Sequence, residues 1–502
     1  MDTSTSLREL LYAGLDQNLD HLGGLLGNNS DLVIRQLVIG QDRRKTAVLF
    51  FEGLADSTTV QQYVLGAMMQ QHILEPGTPV EQVPEVLKQA ILSVGEICLL
   101  QRFEQVLECI LAGNAAVLFD GCVQGLHVAV QGWKERSITE PSDQAVIRGP
   151  KESFTETIRT NTAMVRRKIR DRRLRLENTK IGRVTKTDVS IMYIEGIVMK
   201  DVVEEVHKRL AQIDTDSILE SGYIEEFMED SHYSPFPTIQ NTERPDAVAA
   251  ALLEGRVAIL IDGTPHALIV PSLFIQFLQS PEDYYQRAGF SSLVRVLRYI
   301  GLAIALLAPS MYIAITTFHQ EMLPTMLLIS LAAQREGVPF PAFIEALMME
   351  ITFEILREAG IRMPRAVGQA VSIVGTLVIG QAAVEAGIVS AAMVIVVAIT
   401  AISSFVVPNY NMSIPVRMMR FFLMMLGASF GLFGIAIGLI ALILHLCSLR
   451  SFGVPFMSPM APLNLSEQED AILRLPRPFQ RFRPKMLSKN RIRTVRKPRS
   501  KS

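Results

Sequence analysis

From residue 297 to residue 449 the chain is dominated by apolar blocks, and no other stretch limits so strongly what it can fold into. Residues 297–318 contain no Lys, Arg, Asp or Glu after Arg298. As a helix they extend roughly 33 Å, enough to cross a hydrocarbon core of about 30 Å. Four more blocks follow, at 322–333, 366–384, 387–407 and 418–446. The first is too short to span comfortably and carries Pro324 near its start, whereas the last is long enough to tilt. Gly427, Gly431, Gly434 and Gly438 recur in that last block. Such small-xxx-small spacing lets helix backbones approach, or simply reflects how common glycine is in membrane helices.

The net charge of −1 hides an asymmetry. Residues 450–502 hold 13 Lys and Arg against Glu467, Glu469 and Asp470. A basic flank beside a last membrane helix marks the cytoplasmic side. Residues 1–29 lack a basic start followed by an unbroken apolar core, so the N-terminal part is expected on that side too. Both ends on one side require an even number of crossings, yet five blocks are visible. One must be re-entrant, interfacial or divided, and the short block at 322–333 is the expected one. Cys98, Cys109, Cys122 and Cys447 have neither metal-ligand spacing nor a secreted context. They read as buried thiols in a reducing compartment, and neither metal nor cofactor is expected.

Ahead of the blocks the pattern is α/β. "LVIRQLVIG" alternates, "TAVLFFEGLAD" is a short apolar run ending at a turn, and "STTVQQYVLGAMMQ" has helical spacing. A helix is expected over 93–111, followed by a strand, an Asp-Gly turn and a strand. This arrangement returns. Glu52-Gly53 and Glu195-Gly196 are 143 residues apart, and Asp120-Gly121 and Asp262-Gly263 are 142 apart. Two landmarks with nearly the same offset argue for a duplicated unit. The four carboxylates sit where strands must turn, so ordinary turn chemistry explains them better than catalysis or metal binding. No phosphate loop, nucleophile elbow or zinc pattern is present, and no enzyme activity is expected.

The fold class expected is therefore a duplicated α/β cytoplasmic N-terminal domain followed by a polytopic α-helical membrane domain. Its expected divisions are a polar helical segment (1–30), a first α/β subdomain (31–149), a basic helical linker (150–185), a second α/β subdomain (186–285), a transmembrane domain (286–449) and a basic cytoplasmic tail (450–502). In the linker, seven of the ten residues 166–175 are basic and the spacing permits one long helix. Three readings stay open: a solvated helix, contact with anionic lipid headgroups, or docking of Arg166, Arg167, Arg170 and Arg173 onto Glu220, Glu225, Glu226, Glu229 and Asp230 of a neighbouring copy. Nucleic acid is not expected, because aromatic residues are not interleaved with the charge. Arg287, Arg295 and Arg298 at the entry to the first apolar block support an inside start.

Within the apolar region, Glu350, Glu354 and Glu358 fall on one face of an amphipathic helix. That face reads as a surface partly neutralised by Arg357, Arg362 and Arg365, or as an acidic vestibule favouring cations. In the next block Gln369, Ser372 and Thr376 approximate one face, with Gly375, Gly380 and Gln381 nearby. This small, weakly polar stripe either packs against helices or lines a narrow pore, with Val371, Val374 and Val378 as an apolar constriction. Ionisable residues look scarce inside the spans, which weakens a solute-carrier reading.

The stretches "GNAAVLFDG", "SFTETIRTNTAMVRRKIRD", "YIEGI", "RVAILIDGTPHALIVPSLF", "SPEDYYQR", "RMPRAVGQAVSIVGTLVIGQAAVEAG" and "PFMSPMAP" together resemble the A subunit of the GerA-type spore germinant receptors, over nearly the whole chain. The resemblance implies a multi-pass protein of the bacterial spore inner membrane. It implies a ring-shaped homo-oligomer, a pentamer, that releases ions when nutrient is sensed. Its implied partners are a transporter-like, nutrient-sensing B subunit, a lipoprotein C subunit and membrane lipids. Two alternatives remain within the family: a scaffold subunit, and a sibling germination channel not tied to a nutrient sensor.

Overall fold

The computed structural model describes residues 9–27, 29–70, 74, 76–90, 96–132, 141, 144, 146–363, 380–464, 467–490 and 492–493. The chain divides into two compact units. One comprises Met1–Glu229, Ile239–Pro271 and Arg481–Ser502, and the other Asp230–Thr238 and Ser272–Gln480.

The first unit holds two five-stranded antiparallel sheets of the same topology. The first repeat runs α1 (Leu15–Leu26), β1 (Leu32–Ile39), β2 (Arg44–Phe51), a helical segment over 57–68, α2 (Val83–Ala90), β3 (Ile97–Leu100), α3 (Phe103–Leu111), β4 (Ala115–Phe119) and β5 (Gly125–Val128). The second runs α4 (Ile158–Lys168), β6 (Leu174–Ile181), β7 (Thr187–Ile194), α5 (Lys200–Gln212), α6 (Ser221–Met228), β8 (Gln240–Thr242), α7 (Pro245–Leu253), β9 (Val257–Ile261) and β10 (Ala267–Val270). The sheet orders are β1-β2-β4-β5-β3 and β6-β7-β9-β10-β8, so each strand of the first has its counterpart in the second. Strand β2 shows why the sheet is covered on both faces. Val48 and Phe50 pack with the 57–68 segment and α2, while Ala47, Leu49 and Phe51 pack with α1 and α3.

The duplication extends to single hydrogen bonds. Asn18 Oδ1 accepts from the Tyr12 amide at 2.8 Å while its Nδ2 donates to the Tyr12 carbonyl at 2.7 Å. Asn161, 143 positions later, does the same to Thr155 at 2.8 and 2.5 Å. Asp120 accepts from the amide of Leu15 and Asp262 from that of Ile158, each at 3.0 Å, so each Asp-Gly turn caps the first helix of its own repeat. Gly53, Gly121, Gly196 and Gly263 all have φ between 80° and 89°, the left-handed conformation that glycine adopts without penalty.

Three local expectations need correction. The stretch 93–111 is not one helix, because Ile97–Leu100 pairs with β5 before α3 begins at Phe103. The N-terminal helix starts at Leu15 and belongs to the first repeat, burying Leu15, Leu22 and Leu26 in its core. The basic run is not a long helix either. Helix α4 stops at Lys168, and β6 starts at Leu174 because Leu174 and Leu176 alternate into the second core beneath the arginines.

In the second unit the helices are α8 (Ala288–Phe318), α9 (Thr325–Arg335), α10 (Ala342–Arg362), α11 (Gly380–Glu385), α12 (Ala391–Ser404) and α13 (Tyr410–Ser448). By length and composition α8 and α13 are able to cross a membrane. Helix α13 is interrupted at Gly431, with φ 62° and ψ −145°. A Cβ at Gly438 would lie 2.6 Å from Leu423 Cδ2, and one at Gly434 would lie 2.5 Å from the Leu426 carbonyl oxygen. In a straight helix residues 423 and 438 are roughly 22 Å apart. The chain therefore doubles back at Gly431 into two antiparallel arms, roughly 31 and 25 Å long. Met412 and Leu446, near the two ends of α13, share one apolar cluster, as this reversal requires. Of the described blocks, the divided one is thus the last, not the short block at 322–333, which forms the 11-residue α9. The glycines do serve close approach: they sit where the arms touch each other and α8, and a Cβ at Gly427 would meet the Ser310 carbonyl at 3.0 Å.

Candidate functional site: an ion network between the helices

Helix α8 carries Pro309 in its interior. Proline has no amide hydrogen, so the carbonyl of Ala305, four residues earlier, loses its helical donor. Arg420, on the first arm of α13, supplies the replacement: its Nε donates to that carbonyl at 2.8 Å. The same guanidinium pairs with Glu350 of α10, and both side chains are 0% exposed. One turn along α10, Glu354 accepts from Arg417 at 2.6 Å and from Arg357 at 3.4 Å. Arg357 also donates to Ser404 Oγ at 2.8 Å and lies over the rings of Phe353 and Phe405. At the other end of α10, Glu345 is fully buried and accepts from the amide and hydroxyl of Ser390, the N-cap of α12.

The network thus sets Glu350 and Glu354 against Arg357, Arg417 and Arg420, while Glu345 bonds to Ser390 instead of these arginines, and the contacts together span four helices. Desolvating such groups is costly, and removing one member leaves its partner as an uncompensated buried charge. Among the described residues, Glu345 Oε2, Glu350 Oε1 and Arg420 Nη2 are buried without a hydrogen-bond partner.

These positions correct the expected vestibule. Glu350 faces no water in this fold, Glu354 is half-buried between two arginines, and Glu358 is exposed and paired with Arg362 at 2.6 Å. The scarcity of ionisable groups among the apolar helices is corrected too, since Arg417 and Arg420 were the unrecognised partners. A proline inside an apolar span, leaving one carbonyl unpaired, was the available signal. Of the pore-stripe candidates, Gln369, Ser372, Val374, Gly375, Thr376 and Val378 lie outside the described residues. Gly380 opens α11 and is buried, and Gln381 is exposed and donates to Glu385 at 2.9 Å.

Arg166, expected at a contact between copies, is instead 2% exposed within its own unit. It pairs with Asp31, bonds Asn29 at 3.2 Å and lies 4.3 Å from the centroid of Phe51, joining α4 to the first repeat. Arg167 lies 3.9 Å from Glu152, Arg173 pairs with Asp171 at 2.7 Å, and Arg170 is exposed. On the acidic side, Glu220 caps α6 and accepts from Thr264 at 3.0 Å, and these hydrogen bonds outweigh burial and hold its pKa below the usual range. Arg295 and Arg298 are not free cations at the entry to α8, because both close on buried Asp283, at 3.0 and 2.7 Å.

The family model described as Bacillus/Clostridium GerA spore germination protein matches residues 20–486. The chain belongs to this GerA family. Spore germination protein KA of Bacillus subtilis (strain 168) is 48% identical over 481 residues, covering 96% of this chain and 88% of that protein. The B. subtilis protein described as the uncharacterized membrane protein YfkQ is 47% identical, covering 92% and 89%. A crystal structure of the N-terminal domain of the A subunit of the Bacillus megaterium spore germinant receptor GerK3 is 41% identical, covers 53% of this chain and 98% of that one, and superposes with a TM-score of 0.43. The residues that suggested the GerA resemblance thus lie in a chain that is a GerA-type subunit over most of its length.

Proposed function

We propose that this GerA-family chain is the membrane subunit of a spore germinant receptor, and that several copies close into a pentameric ring around an ion-release path that opens when nutrient is sensed. The observation that carries this reading is the network of Glu350, Glu354, Arg357, Arg417 and Arg420 among apolar helices, with the buried carboxylate of Glu345 nearby on the same helix. Charged groups at membrane depth are expensive, and where proteins keep them they mark ion paths or elements that move when a path opens. In the proposed ring the face bearing Gln369, Ser372, Gly375, Thr376, Gly380 and Gln381 lines the path, and Val374 and Val378 close it by dewetting. The helices lie in the spore inner membrane with both termini on the core side. A transporter-like B subunit senses the nutrient, and a lipoprotein C subunit completes the complex.

The test is ion flux from the purified chain reconstituted in liposomes, with Val374→Ala and Val378→Ala as probes of the constriction. Flux that rises in either variant supports a channel. A chain that assembles but passes no ions under any condition is a scaffold, the reading that the duplicated α/β unit favours. Flux in liposomes without any nutrient dependence in spores would instead point to the sibling role.

A further inference from the structure

The two repeats differ in how they are finished. After β5 the first repeat continues to Gln131 and Gly132, which close over its Leu54 turn. Gln131 forms an antiparallel bridge with Ala55, the Gly132 amide points to the Leu54 carbonyl at 3.5 Å, and Gln131 Nε2 donates to the Ala112 carbonyl at 3.0 Å. The matching turn of the second repeat lies 143 positions on, at Ile197 and Val198. There the chain has already left, since Ser272 onward belongs to the helical unit.

The place is taken by residues that come more than 200 positions later. Ser488 bridges Val198 in the antiparallel sense, and the Lys489 amide donates to the Ile197 carbonyl at 2.8 Å. Ser488 Oγ donates to the same carbonyl at 3.1 Å. Leu487 is 0% exposed, and Gly255 has φ 92° and no room for a Cβ, which would sit 2.6 Å from the Leu487 carbonyl oxygen. Arg483 donates to the Leu253 carbonyl at 2.7 Å, and Arg493 pairs with Glu254 at 3.1 Å.

We infer that the slot formed by Ile197, Val198 and Leu253–Gly255 is a docking surface whose occupant is residues 481–490 and 492–493 of the same chain, so that the helical unit is an insertion within the second α/β repeat. Both ends of the insertion are then tied to one folded body. Taken with the membrane reading above, both ends of the insertion start from the same side, and the number of crossings is even. The turn at Gly431 supplies a reversal toward that parity. The tail is thereby not a loose basic extension: its described part closes the turn that follows β7 through backbone hydrogen bonds, Leu487 and a charge pair.

The test uses the full-length chain in membranes, with Val198→Cys and Ser488→Cys. Residues facing each other across an antiparallel bridge have Cβ atoms about 4.5–5.5 Å apart, near enough for a disulfide after a small adjustment. Oxidation is expected to give one cross-link within a single chain, seen as a joined peptide after digestion with no dimer on a non-reducing gel. A cross-link found only between chains, or none, overturns the proposal. A second variant lacking residues 481–502 is expected to be cleaved several-fold faster at 195–200 and 253–256 under limited proteolysis, with protection restored by a peptide of residues 481–493. Unchanged cleavage also overturns it. Neither readout involves ion flux, so a failed channel proposal leaves this one standing, and the reverse.

Discussion

Arg420 occupies the hydrogen-bonding position that Pro309 vacates, its Nε 2.8 Å from the carbonyl of Ala305. The arm of α13 and helix α8 are joined there by a bond that neither helix could make alone. Replacing Arg420 by Met strands that carbonyl and leaves Glu350 as a lone buried carboxylate, a loss of about 3–5 kcal/mol. Adding Glu350→Gln to Arg420→Met is expected to recover a large part of it. Thermal melts of the detergent-solubilised chain check this, and equal melting of the single and double variants would show that the pair is not coupled.

Gly431 has φ 62° and ψ −145°, a region that side chains avoid at a cost of order 1–3 kcal/mol. A Cβ there would also lie 3.1 Å from that of Phe318 and 2.7 Å from the His319 ring. Gly431→Ala is expected to lower the melting temperature by several degrees. Gly289→Ala, at a helical position with nothing within 4 Å, is expected to be neutral or slightly stabilising. Similar melting of the two variants would contradict the reversal.

Asn18 and Asn161 make the same pair of bonds to the segment that enters their repeats. Asn→Ala at either site leaves a half-buried amide and carbonyl without their partner, and about 1 kcal/mol is expected for each. Chemical denaturation of the two variants should give losses within a factor of two of each other. A large loss at one site and none at the other would break the equivalence.

Burial, reinforced by Glu229 and Glu220, pushes the Glu225 carboxyl up to about 8. Below its ordinary range both the folded and unfolded states hold the proton, so nothing is lost. As pH rises from about 4.5 toward 8 the unfolded chain releases the proton while the fold retains it, and stability falls. Glu225→Gln is therefore expected to melt with the parent at pH 4.5 and increasingly above it by pH 8. A difference that does not vary with pH would locate the cause elsewhere.

The duplication was legible because Asp120 and Asp262 sit in turns whose chemistry demands that residue pair, and the matching Asn18 and Asn161 follow from the same offset. The basic run misled because its charge masks the alternation of Leu174 and Leu176, and because Arg166 is held inside by Asp31, 135 positions away. The hairpin was hidden for a different reason. Gly431 is one of four similarly spaced glycines, and only its backbone angle distinguishes a reversal from a packing face. Likewise, Glu350 read as part of an acidic stripe because its counter-charge lies 70 positions downstream.

The slot at Ile197 and Val198 also sets an order on biosynthesis. A ribosome delivers every helix of the insertion before it delivers Leu487, so the second repeat stays unfinished until then. A chain cut before Arg481 leaves the Ile197–Val198 turn without the backbone partners that Ser488 and Lys489 supply. Translation as far as Leu487 is therefore the step that completes the second repeat.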